Sequence, residues 1–224
     1  NMKKDIDNII STTVNKMVEL DNKKILEVGC GSGFITEMLI SDNNTVLAID
    51  NDEESLKKVP SSISDLSNVQ IEQLAFDEVS DTFDLIVFSL SLHHIEDPLA
   101  TLNKAKKLLN DGGHLLIIEP DISIVDVDLR DITNVVDCFD KSEKGRLIKS
   151  KESIEFLNNK YNLKSIKIRA KWITDDLDEL VSVFYEEDYN IDKQTGTDSV
   201  IKLLNINDYN DEIVLHDNLT LYLV

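Results

Sequence analysis

The stretch Lys24 to Phe34, KILEVGCGSGF, decides how the chain is read. Lys24 to Val28 (KILEV) is a short apolar run of strand length, and glycines at 29, 31 and 33 end it. Phe34 to Ile40 then places Ile35, Met38 and Leu39 at helical spacing. The chain has only 7 glycines, so three in one strand-to-helix turn mark a place where the backbone must adopt positive φ or let a ligand approach without a Cβ in the way. A nucleotide-like ligand at the carboxyl edge of this strand is the expectation. The dinucleotide fingerprint GxGxxG fits poorly, because Phe34 stands at its third glycine. Glu27 adds a carboxylate beside the turn, which would repel a pyrophosphate and welcome a positively charged ligand.

Outward from this turn, apolar runs alternate with helical patterns, the signature of a mostly parallel sheet covered by helices. Thr45 to Ile49 (TVLAI) reads as a second strand ending at Asp50, whose carboxylate suits a ribose diol, and the acidic run Asp52 to Glu54 suits a helix start. Val69 to Leu74 and Phe83 to Ser89 (FDLIVFS) follow as strands three and four, the latter apolar enough to be covered on both faces. A helix over Pro98 to Leu109 leads to Asp111-Gly112-Gly113, read as a turn, and then to strand five, His114 to Glu119, stopped by Pro120. Before the sheet, Ile6 to Val18 has the spacing of an amphipathic helix. Beyond Pro120 the pattern loosens: a helix over Lys151 to Tyr161, a strand over Leu163 to Ile168, a helix over Asp175 to Tyr185 and a strand over Asn218 to Val224 are expected. No internal repeat or low-complexity linker interrupts the chain. Met2 reads as the native start, and residues 2–224 read as one domain: an N-terminal helix (2–22), a ligand-binding core (23–120) and substrate-side elements (121–224).

Composition limits the partners. Among 224 residues, 43 acidic against 23 basic side chains give a formal charge of −20, the wrong sign for gripping nucleic acid or an anionic membrane. Cys30 and Cys138 are far apart and form no CxxC, and no HxxxH or Cys/His spacing supports a metal. With no membrane-span-length apolar run and no signal-peptide pattern, a cytoplasmic protein is expected.

Four segments, ILEVGCGSGFIT (25–36), VLAIDND (46–52), FDLIVFSLSLHHIEDP (83–98) and LLNDGGHLLIIEP (108–120), resemble the class I S-adenosylmethionine-dependent methyltransferases in order and spacing. LHHIEDP is most similar to a group that includes quinone-biosynthesis and many small-molecule methyltransferases. The resemblance implies an α/β fold, a Rossmann-like three-layer sandwich with a seven-stranded, mostly parallel sheet and an antiparallel last strand. It also implies S-adenosylmethionine as cofactor. By motif, Gly29, Cys30, Gly31 and Gly33 would line its methionine and ribose, Glu27 would face its amino group directly or through water, Asp50 would hold the ribose diol with Asn51 beside the adenine, and Ser89 and Leu90 would lie near the sulfonium. The acidic residue usual after strand three is displaced here, in Leu74-Ala75-Phe76-Asp77; Phe76 is expected to cover the adenine face and Asp77 to make the polar contact.

His93 and His94 follow strand four, where one of them can serve as general base or orient the acceptor. The same pair can also be a structural helix start with one ring packed. Glu119 and Asp121 flank Pro120 and either meet substrate or are ordinary loop acids. Trp172 and Tyr185 are candidates for an apolar substrate wall or for core. The expected function is methyl transfer to a small-molecule acceptor, whose identity and oligomeric context the residues do not specify. The alternatives are a catalytically silent cofactor-binding regulatory or assembly subunit, or a protein methyltransferase; a nicotinamide oxidoreductase is disfavoured by Phe34 and Glu27.

Overall fold

A computed structural model describes residues 2–124, 128–208 and 211–224. In chain order the elements are α1 (Ile9–Met17), β1 (Lys24–Val28), α2 (Phe34–Leu39), β2 (Thr45–Asp50), α3 (Glu53–Leu56), α4 (Ser61–Ser64), β3 (Val69–Gln73), β4 (Phe83–Ser89), α5 (Pro98–Lys107), β5 (Leu109–Pro120), α6 (Ile132–Asp137), α7 (Glu143–Tyr161), β6 (Lys164–Thr174), α8 (Leu177–Phe184), α9 (Lys193–Leu204) and β7 (Ile213–Leu223). The strands form one sheet in the order β3-β2-β1-β4-β5-β7-β6. β3 to β5 pair in parallel. β7 runs against β5: Leu115 and Val224 exchange both backbone hydrogen bonds, at 3.2 and 2.9 Å, the mark of an antiparallel pair. The expected sheet, with its reversed last strand, is therefore the observed one. No helix among the described residues is long and apolar enough to cross a membrane.

The chain divides into two compact units. The first comprises Thr13–Glu119, Lys149–Ile166 and Leu221–Val224. Its core joins Leu26, Val28, Phe83, Ile86, Phe88, Leu102 and Ile117 with Ile154 and Leu157 of α7. Strand register decides where its functional edge falls. Val28 pairs with Ile49 and with Phe88, so the residues that follow, Gly29, Asp50 and Ser89, emerge together at one carboxyl edge. Strand order reverses between β2-β1 and β4, and a crevice at such a switch point is where open α/β sheets bind ligands. α5 starts where its sequence says it should: Asp97 accepts from the Ala100 N–H at 3.0 Å and Pro98 occupies the first turn.

β5 departs from expectation. It begins at Leu109, and Asp111-Gly112-Gly113 is an irregularity within the strand rather than a turn before it. Pairing steps from Phe83↔Leu109 to Leu85↔His114, so β5 carries surplus residues there. Gly112 takes φ +74°, and a Cβ on Gly113 would lie 2.9 Å from the Asn110 carbonyl and 3.0 Å from that of Asp84, which explains the glycine pair.

The second unit comprises residues 1–12, Pro120–Ile148 and Lys167–Thr220, of which residues 1, 125–127 and 209–210 lie outside the described residues. Lys3 and Ile173 exchange backbone bonds at 2.8 and 2.9 Å and the Ile6 N–H reaches the Lys171 carbonyl at 3.0 Å, which lays the N-terminal segment along β6. Trp172 is buried and stacks on Phe184 at 6.1 Å, and Tyr185 meets Phe139 edge-on at 6.0 Å. Both aromatics thus pack within this unit. Asp131, Asp176 and Asp192 cap α6, α8 and α9 by accepting from Thr133, Glu179 and Thr195. Burial pushes the Asp217 carboxyl up to about 7, with Asp131 and Asp5 adding to the shift and Lys4 opposing it.

Gly196 of α9 sits against Phe139: a Cβ would lie 2.2 Å from its Cδ1. Helix propensity alone would make Gly196→Ala stabilising by about 1 kcal/mol. Packing reverses the sign, and we expect a melting temperature lower by about 3 to 8 °C. The loss should shrink in a Phe139→Leu background; a higher melting point for the single variant would contradict the packing.

Candidate active site

The glycine turn is built from backbone geometry. Gly29, Gly31 and Gly33 take φ of +77°, +52° and +92°. The N–H groups of Gly29 and Cys30 both donate to the Ile49 carbonyl, at 2.9 and 3.1 Å, and the Gly33 N–H donates to the Cys30 carbonyl at 2.9 Å. A Cβ on Gly29 would lie 2.1 Å from that of Ser91, so this glycine is required by packing against the end of β4. Gly31 is different: nothing lies within 4 Å of where its Cβ would be. Open space over a left-handed glycine is what a ligand resting on backbone needs.

Asp50 ends β2 and is held by two backbone donors, Gly31 N–H to Oδ2 at 2.8 Å and Asp52 N–H to Oδ1 at 2.9 Å. Each oxygen keeps a lone pair, so the carboxylate is oriented and still able to accept from a diol. Asn51 is exposed, and its carbonyl accepts from Gln73 Nε2 at 3.2 Å.

Glu27 has no exposed surface. Thr36 Oγ1 donates to its Oε2 at 2.5 Å, and Ser89 Oγ lies 2.8 Å from Oε1 and 3.1 Å from the Gly29 carbonyl. Burial raises this carboxyl from the ordinary 4.5 to about 7, opposed by the Thr36 and Ser89 hydrogen bonds and reinforced by Asp50. Ser89 thus links the buried Glu27 carboxyl to the carbonyl of the first glycine of the turn. Cys30 is buried, its thiol pushed up by burial and then by Glu27 and Asp50, so it stays neutral. Ser91 Oγ donates to the Val28 carbonyl at 2.6 Å, which ties β4 to the last residue of β1. Between the two serines Leu90 takes φ +57°, a conformation costly for a branched side chain and typical of sites where geometry is imposed.

Phe76 follows β3 by three residues. It is 7% exposed, meets Phe88 edge-on at 5.5 Å and belongs to the core. Lys104 of α5 donates to the carbonyls of Phe76 and Asp77, at 2.9 and 2.7 Å, and fixes the short turn they share. The Asp77 side chain is exposed.

The histidines separate. His93 is 5% exposed, and its Nδ1 lies 2.8 Å from Glu119 Oε2, while its backbone N–H donates to Oε1 at 3.3 Å. His94 is exposed, its ring centroid 4.1 Å from that of His93. Glu119 is therefore the partner of His93, and Asp121, in the other unit, accepts from Ser123 and pairs with Lys167. Thr36, Ser91 and Lys104 were not singled out by sequence. Thr36 was detectable as the polar residue on the inward face of α2, whereas Ser91 and Lys104 gave no signal before the pairing was known.

A family model described as a methyltransferase domain matches residues 19–164. The chain belongs to the methyltransferase domain family. Ubiquinone biosynthesis O-methyltransferase of Pseudomonas fluorescens is 28% identical over 117 residues, 50% of this chain and 50% of that protein. The chain spans about half the length of the curated relatives it matches. Among solved structures, a Bacillus halodurans protein designated a methyltransferase superposes with a TM-score of 0.65 at 14% identity, covering 97% of each chain. YcgJ of Bacillus subtilis gives 0.62 at 14%, covering 95% of this chain and 96% of its own. At that identity the likeness establishes the fold.

The folded state holds the Glu27 proton more tightly than the unfolded chain, so this group's contribution to stability is complete below pH 4.5 and lost as pH rises towards 7. Glu27→Gln, which keeps both hydrogen bonds, should raise the melting temperature at pH 8 by several degrees, with the gain vanishing near pH 4.5. An equal gain at both pH values would show that ionisation is not the cause.

Proposed function

We propose that the protein transfers a methyl group from S-adenosylmethionine to a small-molecule acceptor. The observation that carries this reading is the open left-handed Gly31, its N–H tied to Asp50 and a second carboxylate, Glu27, buried behind the turn. Two carboxylates at one crevice suit a ligand that combines a ribose with a positive charge and disfavour a pyrophosphate, so the residues fit S-adenosylmethionine better than a dinucleotide. When bound, that cofactor supplies an electrophilic methyl group on a sulfonium.

Gly29, Cys30, Gly31 and Gly33 would then line its methionine and ribose, Asp50 would accept the diol hydrogens, and Asn51 and Asp77 would flank the adenine. Ser89 ends β4 and Leu90 follows it, where the methyl group is to be presented. In-line displacement gains chiefly from holding nucleophile and methyl at attack distance, an effect that reaches about 7 to 11 kcal/mol in well-oriented cases. A carboxylate partner selects the tautomer with the proton on Nδ1 of His93, which makes Nε2 the basic nitrogen. His93 is thus proposed as the general base, Glu119 as its positioning residue and His94 as its exposed neighbour. A base is useful when the nucleophile arrives protonated, so a hydroxyl-bearing acceptor fits better than an amine. The name of the Pseudomonas relative, an O-methyltransferase, supports the same choice. The residues after Pro120 are proposed to set acceptor specificity, with the whole chain acting as a single methyltransferase domain. Net charge −20 weighs against nucleic acid as acceptor.

Calorimetric titration should show micromolar binding of S-adenosylmethionine and S-adenosylhomocysteine and none of NADH. Gly31→Arg fills the open space and should abolish it; retained affinity would overturn the site. With a hydroxyl acceptor in hand, His93→Gln and Glu119→Gln should lower kcat by about 10²- to 10⁴-fold and about tenfold or more, respectively, without altering cofactor affinity. Unchanged turnover in His93→Gln would remove the base.

A further inference from the structure

Ser89 has one hydroxyl hydrogen and two acceptors within reach, Glu27 Oε1 at 2.8 Å and the Gly29 carbonyl at 3.1 Å. It can satisfy one at a time. Thr36 removes the remaining ambiguity, because its hydroxyl donates to Glu27 Oε2 and so keeps that oxygen an acceptor. The proton of the neutral acid therefore sits on Oε1, pointing at Ser89. The two charge states of Glu27 turn the serine in opposite senses. When Glu27 is ionised, Ser89 donates to Oε1 and presents lone pairs to the Gly29 carbonyl, for which no other donor is found among the described residues. When Glu27 is neutral, Oε1–H donates to Ser89 and Ser89 donates onward to Gly29. Glu27 has no exposed surface, so this hydroxyl is its route to the ligand side of the turn.

We propose that Ser89 is a positioning residue that relays the charge of buried Glu27 to the Gly29 carbonyl, which in the ionised state is the acceptor for an ammonium group of the bound cofactor. The inference rests on the methyltransferase reading. The proton balance is closed: as the ammonium donates to Gly29, the Ser89 hydroxyl gives its own proton to solvent and takes the Glu27 proton, which leaves it donating to an ionised Oε1, with up to one proton released per ligand. The groups around Glu27 leave it in range for this. Burial brings it to about 7, the hydroxyls of Thr36 on α2 and Ser89 on β4 carry no charge, Asp50 on β2 favours the neutral acid, and the adjacent Cys30 thiol is neutral.

The test is titration with S-adenosylhomocysteine at pH 6, 7 and 8 in buffers of differing ionisation enthalpy, which counts released protons. Wild type should bind about tenfold more weakly at pH 6 than at pH 8 and release a proton below pH 7. Ser89→Ala leaves Gly29 open in both states, so its affinity should lose most of that pH dependence and exceed wild type at pH 6. In Glu27→Gln the amide oxygen accepts from Thr36 and the amide nitrogen donates to Ser89, which locks the closed arrangement: binding should be weak and flat with pH. Ser89→Thr keeps the hydroxyl and should keep the wild-type profile. Opposite effects of two substitutions on one hydrogen-bonded pair separate a relay from mere support, which would weaken both. The relay is overturned if Ser89→Ala and Glu27→Gln weaken binding alike, or if wild type binds with a flat profile. Should Ser89→Ala fail to fold, a wild-type profile in Glu27→Gln overturns it equally. Failure of wild type to bind at any pH overturns the methyltransferase reading and the relay with it.

Discussion

The arrangement of the carboxyl edge around the glycine turn depends on a carboxylate with no exposed surface. Removing Glu27 from solvent is costly, and two hydroxyl donors from different elements offset only part of that cost, as its raised pKa shows. The same two bonds draw α2 and β4 onto the end of β1. An apolar residue there would pack at lower cost but would take from Thr36 its carboxylate acceptor, leave Ser89 only the Gly29 carbonyl, and strip the turn of its negative charge. Local stability is given up where ligand chemistry requires it, the usual place for such a conflict.

What could be read from the sequence was what neighbours along the chain decide. β1 and β4 fall at the expected residues because a short apolar run bounded by glycine or polar residues has few other readings. Gly31 and Asp50 were legible for the same reason: one stands in a glycine turn, the other at a strand end. β5, β6 and β7 all extend past their expected starts or ends, because long edge-side strands carry polar stretches such as Leu109-Asn110-Asp111 that pairing, not composition, holds extended. α6 and α9 were overlooked since their apolar stripes are short, and α9 contains a glycine whose purpose is close approach to Phe139. Their aspartate caps were present as signals.

The site divides along the same line. Residues that act through their own backbone turn were recoverable, whereas Ser91 with Val28, Lys104 with Phe76 and Glu119 with His93 meet across 26 or more positions. Phe76 with Phe88 is a further pairing, an edge contact that sequence position alone does not announce.

β6 is the outermost strand of the sheet and would otherwise offer a row of unpaired N–H and C=O groups along one side. The bonds from Lys3 and Ile6 to Ile173 and Lys171 occupy part of that row. Lys164, Lys167 and Arg169 place cations along the rest of the same strand. The segment from Lys3 to Ile6 therefore acts as a guard on the margin of the sheet, and a protein without it would keep its fold core while gaining a strand edge on which other chains can assemble.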